Sequence, residues 1–461
     1  MLVAGPPEGL NFAAWATGAL MLWMAVWWAT EPIPIPVTSL LPLIILPLVD
    51  AGSPKQIGAG YADHIVLLLL GGFIVALSIE RWDLHKRIAL NVVAAIGASP
   101  RTLIAGFMIA TALLSMWISN TATTLMMVPI ALSAASALKD ESGKFVTALL
   151  LGVCYAASIG GAGTPIGTPT NLIAVDWLQT NAAANISFLE WMSFGIPAVC
   201  LLIPVAWWVV TRGVHKAGNS DAAIAEIQTQ KHALGRMTVP ERRVALIFAL
   251  VAVLWVSRRW TVQGLEAMGW ETLSQYSGAQ VDMMIAMLGA VLVFVVPAGA
   301  GQNRSLLDWN EAKKLPWGVL LLFGGGIALG RAVRDTGLSL WIGDQLTALS
   351  VLPPIFFIAV VVALVIFLTE LTSNVATMTT LAPILGALAV AIGATPSSLL
   401  APAAVAASCA FMLPVATAPN AIIYATDKVP IGQMIQHGLR INLIGIAIIT
   451  AIGFWLAPLV L

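Results

Sequence analysis

A short polar signature occurs twice inside sequence apolar enough to lie in a bilayer. Ile118-Ser119-Asn120-Thr121-Ala122-Thr123 and Thr372-Ser373-Asn374-Val375-Ala376-Thr377 stand 254 positions apart. They continue alike, as Thr124-Leu125-Met126-Met127-Val128-Pro129 and Met378-Thr379-Thr380-Leu381-Ala382-Pro383. A Ser-Asn pair is costly in hydrocarbon unless its polar atoms face protein, water or cargo. Two copies in matching surroundings predict an internally duplicated membrane protein with one polar site built from both, the layout of a secondary transporter.

Composition agrees: 59% hydrophobic and 10% charged residues, with a mean hydropathy of +0.92, place the chain among polytopic membrane proteins. A net charge of zero gives no basis for a nucleic-acid partner. Cys154, Cys200 and Cys409 lie in apolar segments at no metal-binding spacing and read as small buried hydrophobes. The first apolar run, from about Leu10 to Thr30, has no basic residues before it and is long enough to remain as a span instead of a cleaved signal.

Runs of sufficient apolar length predict spans at 11–30, 34–49, 64–80, 145–178, 192–212, 243–259, 281–298, 316–333, 398–427 and 441–460. The stretches 101–138 and 353–392 each carry a Ser-Asn motif near the centre and read as re-entrant hairpins, which are tolerated where protein or a wet cavity satisfies the backbone. Segments 81–101, 139–144, 212–243, 304–314 and 428–440 hold 17 of the 22 Lys and Arg residues and are expected in the cytoplasm. Both termini are then outside, in a multi-pass protein of the cell (inner) membrane. The hairpins open to opposite sides, so the two repeats are inverted.

The duplication extends further. Leu67-Leu68-Leu69-Leu70-Gly71-Gly72 resembles Leu320-Leu321-Leu322-Phe323-Gly324-Gly325-Gly326, where the glycines suit close helix packing and no Lys-Ser or Lys-Thr follows to make a phosphate loop. Amphipathic stretches at 82–98 and 334–350 read as interfacial helices. Gly163-Thr164-Pro165-Ile166-Gly167-Thr168-Pro169-Thr170-Asn171 has its counterpart in Pro414-Val415-Ala416-Thr417-Ala418-Pro419-Asn420, and such Gly and Pro density unwinds a helix in mid-membrane. The fold class expected is all-α and polytopic, each repeat holding a re-entrant hairpin and an unwound transmembrane helix. Residues 1–100 and 243–352 form the two sets of outer spans with their interfacial helices. Residues 101–191 and 353–461 carry the hairpins and unwound spans, and 192–242 form a span and a cytoplasmic linker whose charge pattern reads as a solvated face.

Half-helices starting after Asn120, Asn171, Asn374 and Asn420 would aim N–H groups at the centre and favour an anion. Carbonyls freed at Gly167 and Ala416, with side-chain oxygens of Ser115, Ser119, Asn120, Thr369 and Asn374, suit a hard monovalent cation. Ser115 and Thr369 lie one helical turn before their motifs, on the same face. No Lys or Arg falls in the hairpin cores or unwound stretches, so co-bound cations would have to neutralise an anion there.

These motifs, with Glu31-Pro32-Ile33-Pro34-Ile35-Pro36-Val37-Thr38 and Met412-Leu413-Pro414-Val415-Ala416-Thr417-Ala418-Pro419-Asn420, resemble the divalent anion:sodium symporter family over nearly the whole chain. The resemblance implies a homodimer, each protomer with a scaffold domain and an elevator-type transport domain. It also implies sodium as the coupling ion, and a dicarboxylate, citrate or sulfate as cargo. Carried over by position, sodium site one uses Ser115, Ser119, Asn120 and Gly167, and site two Thr369, Thr372, Asn374 and Ala416. Substrate carboxylates meet Ser119, Asn120, Thr121, Thr168, Ser373, Asn374 and Thr417. Val375 stands where that motif often has Thr, and Ala418 where a Pro is common.

The reading is a sodium-coupled importer of a C4-dicarboxylate such as succinate, malate or fumarate, not an enzyme. An exchanger of the same family without sodium coupling, or a sulfate transporter, is the alternative. An intramembrane hydrolase would need a His or a carboxylate pair at depth, and His64, His85, His215, His232 and His437 fall near span ends or in loops. Glu370 reads first as structural, with a protonated carboxyl or a role in tuning coupling as the alternatives; Asp282 and Glu80 read as reaching the interface, and Trp23, Trp27, Trp28, Trp207, Trp208, Trp255 and Trp260 as interface anchors.

Overall fold

Helices start and stop where local chemistry directs them. In the computed structural model, which describes residues 5–97, 99–138, 142–182, 184, 186–214, 220–299, 304–346 and 353–461, helix Pro100–Ser115 begins on a Ser99 cap with Pro100 in its first turn. It ends before the first Ser-Asn motif, and helix Asn120–Leu138 begins on the motif itself, with the Ser119 hydroxyl accepting from Ala122 N–H at 3.3 Å. Pro354–Thr369 and Asn374–Ala391 repeat this break around Ser373. Ser and Asn compete locally for backbone partners, which makes them poor in helix interiors and good at helix starts.

The unwound spans are present as well. Lys144–Gly161 stops, seven residues pass without helix, and Pro169–Asn181 resumes; Ser397–Ala407 and Ala418–Tyr424 flank the second break. Apart from one isolated bridge between Pro297 and Ser305, every regular element among the described residues is helical. Eight of these helices are long and apolar enough to cross a membrane, which makes this a multi-span membrane protein.

Glycines set how closely helices approach. A Cβ on Gly160 would lie 2.5 Å from the Ala112 backbone, bringing Lys144–Gly161 against Pro100–Ser115, and one on Gly71 would lie 2.7 Å from the Ala286 backbone. A Cβ on Gly324 would lie 2.7 Å from the backbone of Tyr61. Among lipid tails, such packing, and not water exclusion, holds helices together. Close contact therefore accounts for the Leu-Gly-Gly runs.

The basic loops gather at one end of the molecule. Arg81 pairs with Glu311, Arg87 with Glu241, Arg101 donates to Thr211 O at 3.2 Å, and Thr147 donates to Lys428 O at 2.8 Å.

Several expectations need correction. The span at 34–49 is broken in its middle, into Ile35–Thr38 and Leu41–Leu48, where Pro42 in the first turn of the second piece offers no N–H to continue the first. The last span starts earlier, at Ile431, and absorbs most of the 428–440 loop. Of the linker, residues 215–219 lie outside the described residues, as do 139–141 and 347–350 of neighbouring predicted segments. Helix Ser220–Ala233 is no free solvated face: Ala223 and Ile227 are buried, and Glu226 and Gln230 hydrogen-bond Ser133 of the first hairpin at 2.7 and 2.9 Å.

Trp28 and Trp255 are not interface anchors but fully buried. Trp28 donates to Ser39 Oγ at 3.1 Å, while Trp255 stacks on Phe188 at 4.6 Å and donates to Asp282 O. Trp23, Trp208 and Trp260 are exposed as anchors should be. Asp282 is buried and paired with Arg258 at 2.9 Å, so it does not reach the interface. Its second carboxylate oxygen has no partner, so losing Arg258 would leave a buried charge held by the Phe188 N–H alone. Arg258→Ala is expected to destabilise the protein by about 3 kcal/mol. Thermal unfolding in detergent checks this, and Asp282→Asn in the same chain should recover most of the loss.

Candidate functional site

Both hairpin tips and both unwound segments line one cavity of about 860 Å³. Ser119, Asn120 and Thr121 face Thr372, Ser373 and Asn374 across it, with Gly167 and Thr168 on one flank and Ala416 and Thr417 on the other. Ten of the twelve predicted site positions therefore meet at one place. The other two, Ser115 and Thr369, are wholly buried behind the tips.

Their burial has a use. Ser115 Oγ lies 2.6 Å from Asn120 Oδ1 and 2.7 Å from the Ala157 carbonyl, and one hydroxyl proton cannot serve both acceptors. Thr369 Oγ1 stands in the same relation to Asn374 Oδ1 at 2.8 Å and the Ala407 carbonyl at 2.9 Å. Each tip thus backs onto an oxygen cluster with more lone pairs than protons, a composition that suits a hard cation. On the first side the oxygens crowd close to the Gly161 backbone. A Cβ placed on Gly161 would lie 2.6 Å from Asn120 Oδ1 and 3.2 Å from the Gly167 carbonyl. The carbonyls of Ala157 and Ala407 were not anticipated. A backbone carbonyl leaves no mark in side-chain pattern, and the only signal was that each sits in the helix leading to an unwound stretch.

The unwound segments are braced in matching fashion. Asn171 Nδ2 donates to the carbonyls of Gly161 and Thr164 at 2.9 and 2.7 Å, and Asn420 Nδ2 to those of Ala410 and Leu413 at 3.0 and 2.8 Å. Both asparagines are fully buried inside the first turn of their helices. The half-helices hence start earlier than expected, at Pro169 and Ala418, and these asparagines hold the loop instead of opening the helix. The two halves also touch through Thr170 Oγ1 and Ser408 Oγ at 3.0 Å, and through Cys154 Sγ, which donates to Asn420 Oδ1.

Four helix starts converge on the cavity, at Asn120, Pro169, Asn374 and Ala418. Their free N–H groups and partial positive charge favour an anion. Thr372 differs from its expected role, since its hydroxyl donates to Leu368 O and contacts Thr377 Oγ1 at 2.6 Å. Sequence reasoning did not foresee Glu31, Glu80 and Lys314 on the cavity wall, and Glu80 faces this cavity.

Residues 1–461 match the family model for the sodium:sulfate symporter transmembrane region. The chain belongs to the sodium:sulfate symporter family. It is a family of transporters and not of enzymes. Among curated relatives, the sodium-dependent dicarboxylate transporter SdcS of Staphylococcus saprophyticus is 40% identical over 99% of this chain and 88% of its own length. SdcS of Staphylococcus aureus is 41% identical with the same coverage. Among solved structures, Neisseria gonorrhoeae MtrF, described as illuminating a class of antimetabolite efflux pumps, aligns with a TM-score of 0.63 at 15% identity. That alignment covers 97% of this chain and 96% of that one. The Alcanivorax borkumensis YdaH transporter aligns with a TM-score of 0.59 at 14% identity over 96% and 98%. At these identities the likeness concerns the fold alone.

Proposed function

We propose that this chain is a sodium-coupled symporter of C4-dicarboxylates such as succinate, malate and fumarate. The observation that carries the reading is the single cavity between two Ser-Asn tips, each backed by a proton-poor oxygen cluster. One sodium ion at Ser115, Ser119, Asn120 and Gly167, and another at Thr369, Thr372, Asn374 and Ala416, would balance a dianion. The hydroxyl of Thr372 is engaged elsewhere, so its contribution to site two is the main-chain carbonyl. Substrate carboxylates would meet Ser119, Asn120, Thr121, Thr168, Ser373, Asn374 and Thr417. Sodium binds first, because the cations hold the asparagines and freed carbonyls in the geometry an anion needs. The relatives at 40–41% identity are named for dicarboxylate, which supports that cargo over the sulfate of the family name.

The matched breaks and braces of the two halves support inverted repeats with re-entrant hairpins at 101–138 and 353–392. On this reading those hairpins and unwound spans form the transport region, which slides as an elevator against a scaffold of 1–100 and 243–352 in a homodimer. The cavity opens toward the basic loops, past Glu80 and Lys314. Toward the other end, Asp63 pairs with Arg331 and Arg334 donates to Thr180 O at 3.0 Å, which supports closure on that side. With basic loops in the cytoplasm, this is the inward-open form in the cell membrane, with both termini outside.

Proteoliposomes containing the purified protein test the proposal. Labelled succinate should accumulate above equilibrium only with an inward sodium gradient, and malate and fumarate should compete better than sulfate. Equal uptake without sodium, driven by internal dicarboxylate, would point to exchange instead.

A further inference from the structure

Glu370 follows Thr369 directly and is buried at 3% exposure, yet no Lys or Arg pairs with it among the described residues. Its carboxylate is instead wrapped in N–H donors. Phe411 and Met412 donate to Oε1 at 2.8 and 3.0 Å, Met412 and Leu413 to Oε2 at 3.0 and 3.2 Å, and Asn442 Nδ2 to Oε1 at 2.8 Å. Three successive amides and a side-chain amide, all donors, form a nest that suits the ionised carboxylate. The amides belong to the segment between Ala407, whose carbonyl accepts from Thr369, and Ala416 on the cavity wall.

The first half has no such group. Met116 follows Ser115 there, and its main-chain carbonyl accepts from the Thr164 hydroxyl, a neutral bond between tip and unwound segment. The two oxygen clusters match in geometry and differ in charge.

We infer that Glu370 is a positioning residue that fixes both walls of the second cation site and gives that site a formal negative charge, making it the tighter and first filled of the two. The inference rests on the sodium-coupled reading above. The nest supplies dipoles but no formal charge, and among the described residues no side-chain cation offsets this carboxylate, so a sodium ion arriving at Thr369 and Asn374 would supply the missing positive charge. The first site fills second, still ahead of the dianion.

Glu370→Gln keeps the shape and removes the charge. At saturating succinate its half-saturating sodium concentration should rise on the order of 10-fold. Raising sodium should restore the maximal rate, and the succinate KM measured at saturating sodium should stay near wild type. A residue that merely braces the fold would lower the maximal rate without moving sodium half-saturation, and that result overturns the inference. Should Glu370→Gln fail to reach the membrane, Glu370→Asp keeps the charge but withdraws it from the amides. Unaltered sodium half-saturation there contradicts the proposal equally. Sodium-independent uptake by the wild type would defeat the underlying reading and this inference with it, whereas a sodium-dependent wild type with an unshifted Glu370→Gln defeats the inference alone.

Discussion

Asn120→Ala and Asn374→Ala are each expected to cut sodium-driven succinate uptake to background. Each asparagine lines the cavity, and its Oδ1 belongs to an oxygen cluster with Ser115 and Ala157 or with Thr369 and Ala407. On the proposed reading, truncation would remove a cation ligand and an amide donor to the substrate at one stroke. Hydrogen bonds to charged groups are worth about 1.5–3 kcal/mol each, so two lost contacts predict a loss on the order of 100-fold or more. Trp260→Phe, at a position 61% exposed on the outer surface, should transport normally. Uptake rates in proteoliposomes, normalised to incorporated protein, make the comparison.

The second large effect comes from one added methyl group. In Gly161→Ala the new Cβ would stand 2.6 Å from Asn120 Oδ1 and 3.2 Å from the Gly167 carbonyl, among the oxygens proposed to hold the first cation. The backbone cannot retreat easily, because the Gly161 carbonyl is held by Asn171. Asn120 must therefore move, and sodium-driven uptake should fall on the order of 100-fold, since overlap of this kind typically costs about 1–3 kcal/mol before the ligand's loss is added. Gly330→Ala is the matched control, because nothing lies within 4 Å of its Cβ position and the glycine needs no left-handed backbone. Near-normal sodium-driven uptake by Gly161→Ala would argue that the first cation does not sit there.

What the sequence made legible was whatever is expensive to leave unsatisfied in lipid. Ser119-Asn120 and Ser373-Asn374 could only be explained by a polar interior, and the cavity lies between them. The Gly and Pro clusters that unwind the spans were equally plain. Ala157 and Ala407 were not, because their contribution is a carbonyl that every residue carries. Depth was also hidden. Asp282 and Trp255 sit near the ends of apolar runs, and nothing local says that a neighbouring helix covers those ends, bringing Arg258 and Phe188 with it. The docking of Ser220–Ala233 on the first hairpin depends on a partner surface more than 80 residues away, which its own helical charge pattern does not encode. Glu370 stood out as a carboxylate at depth, but its surroundings were hidden, because its four N–H donors come from two other parts of the chain.

Equilibrium binding of labelled succinate to the purified protein, titrated with sodium against choline at constant ionic strength, probes the shared site most directly. If cations at the two tips make room for the dianion, succinate affinity must rise steeply with sodium, with a logarithmic slope above one, and Asn120→Ala must flatten that dependence. Succinate binding of the same strength with and without sodium would contradict the account.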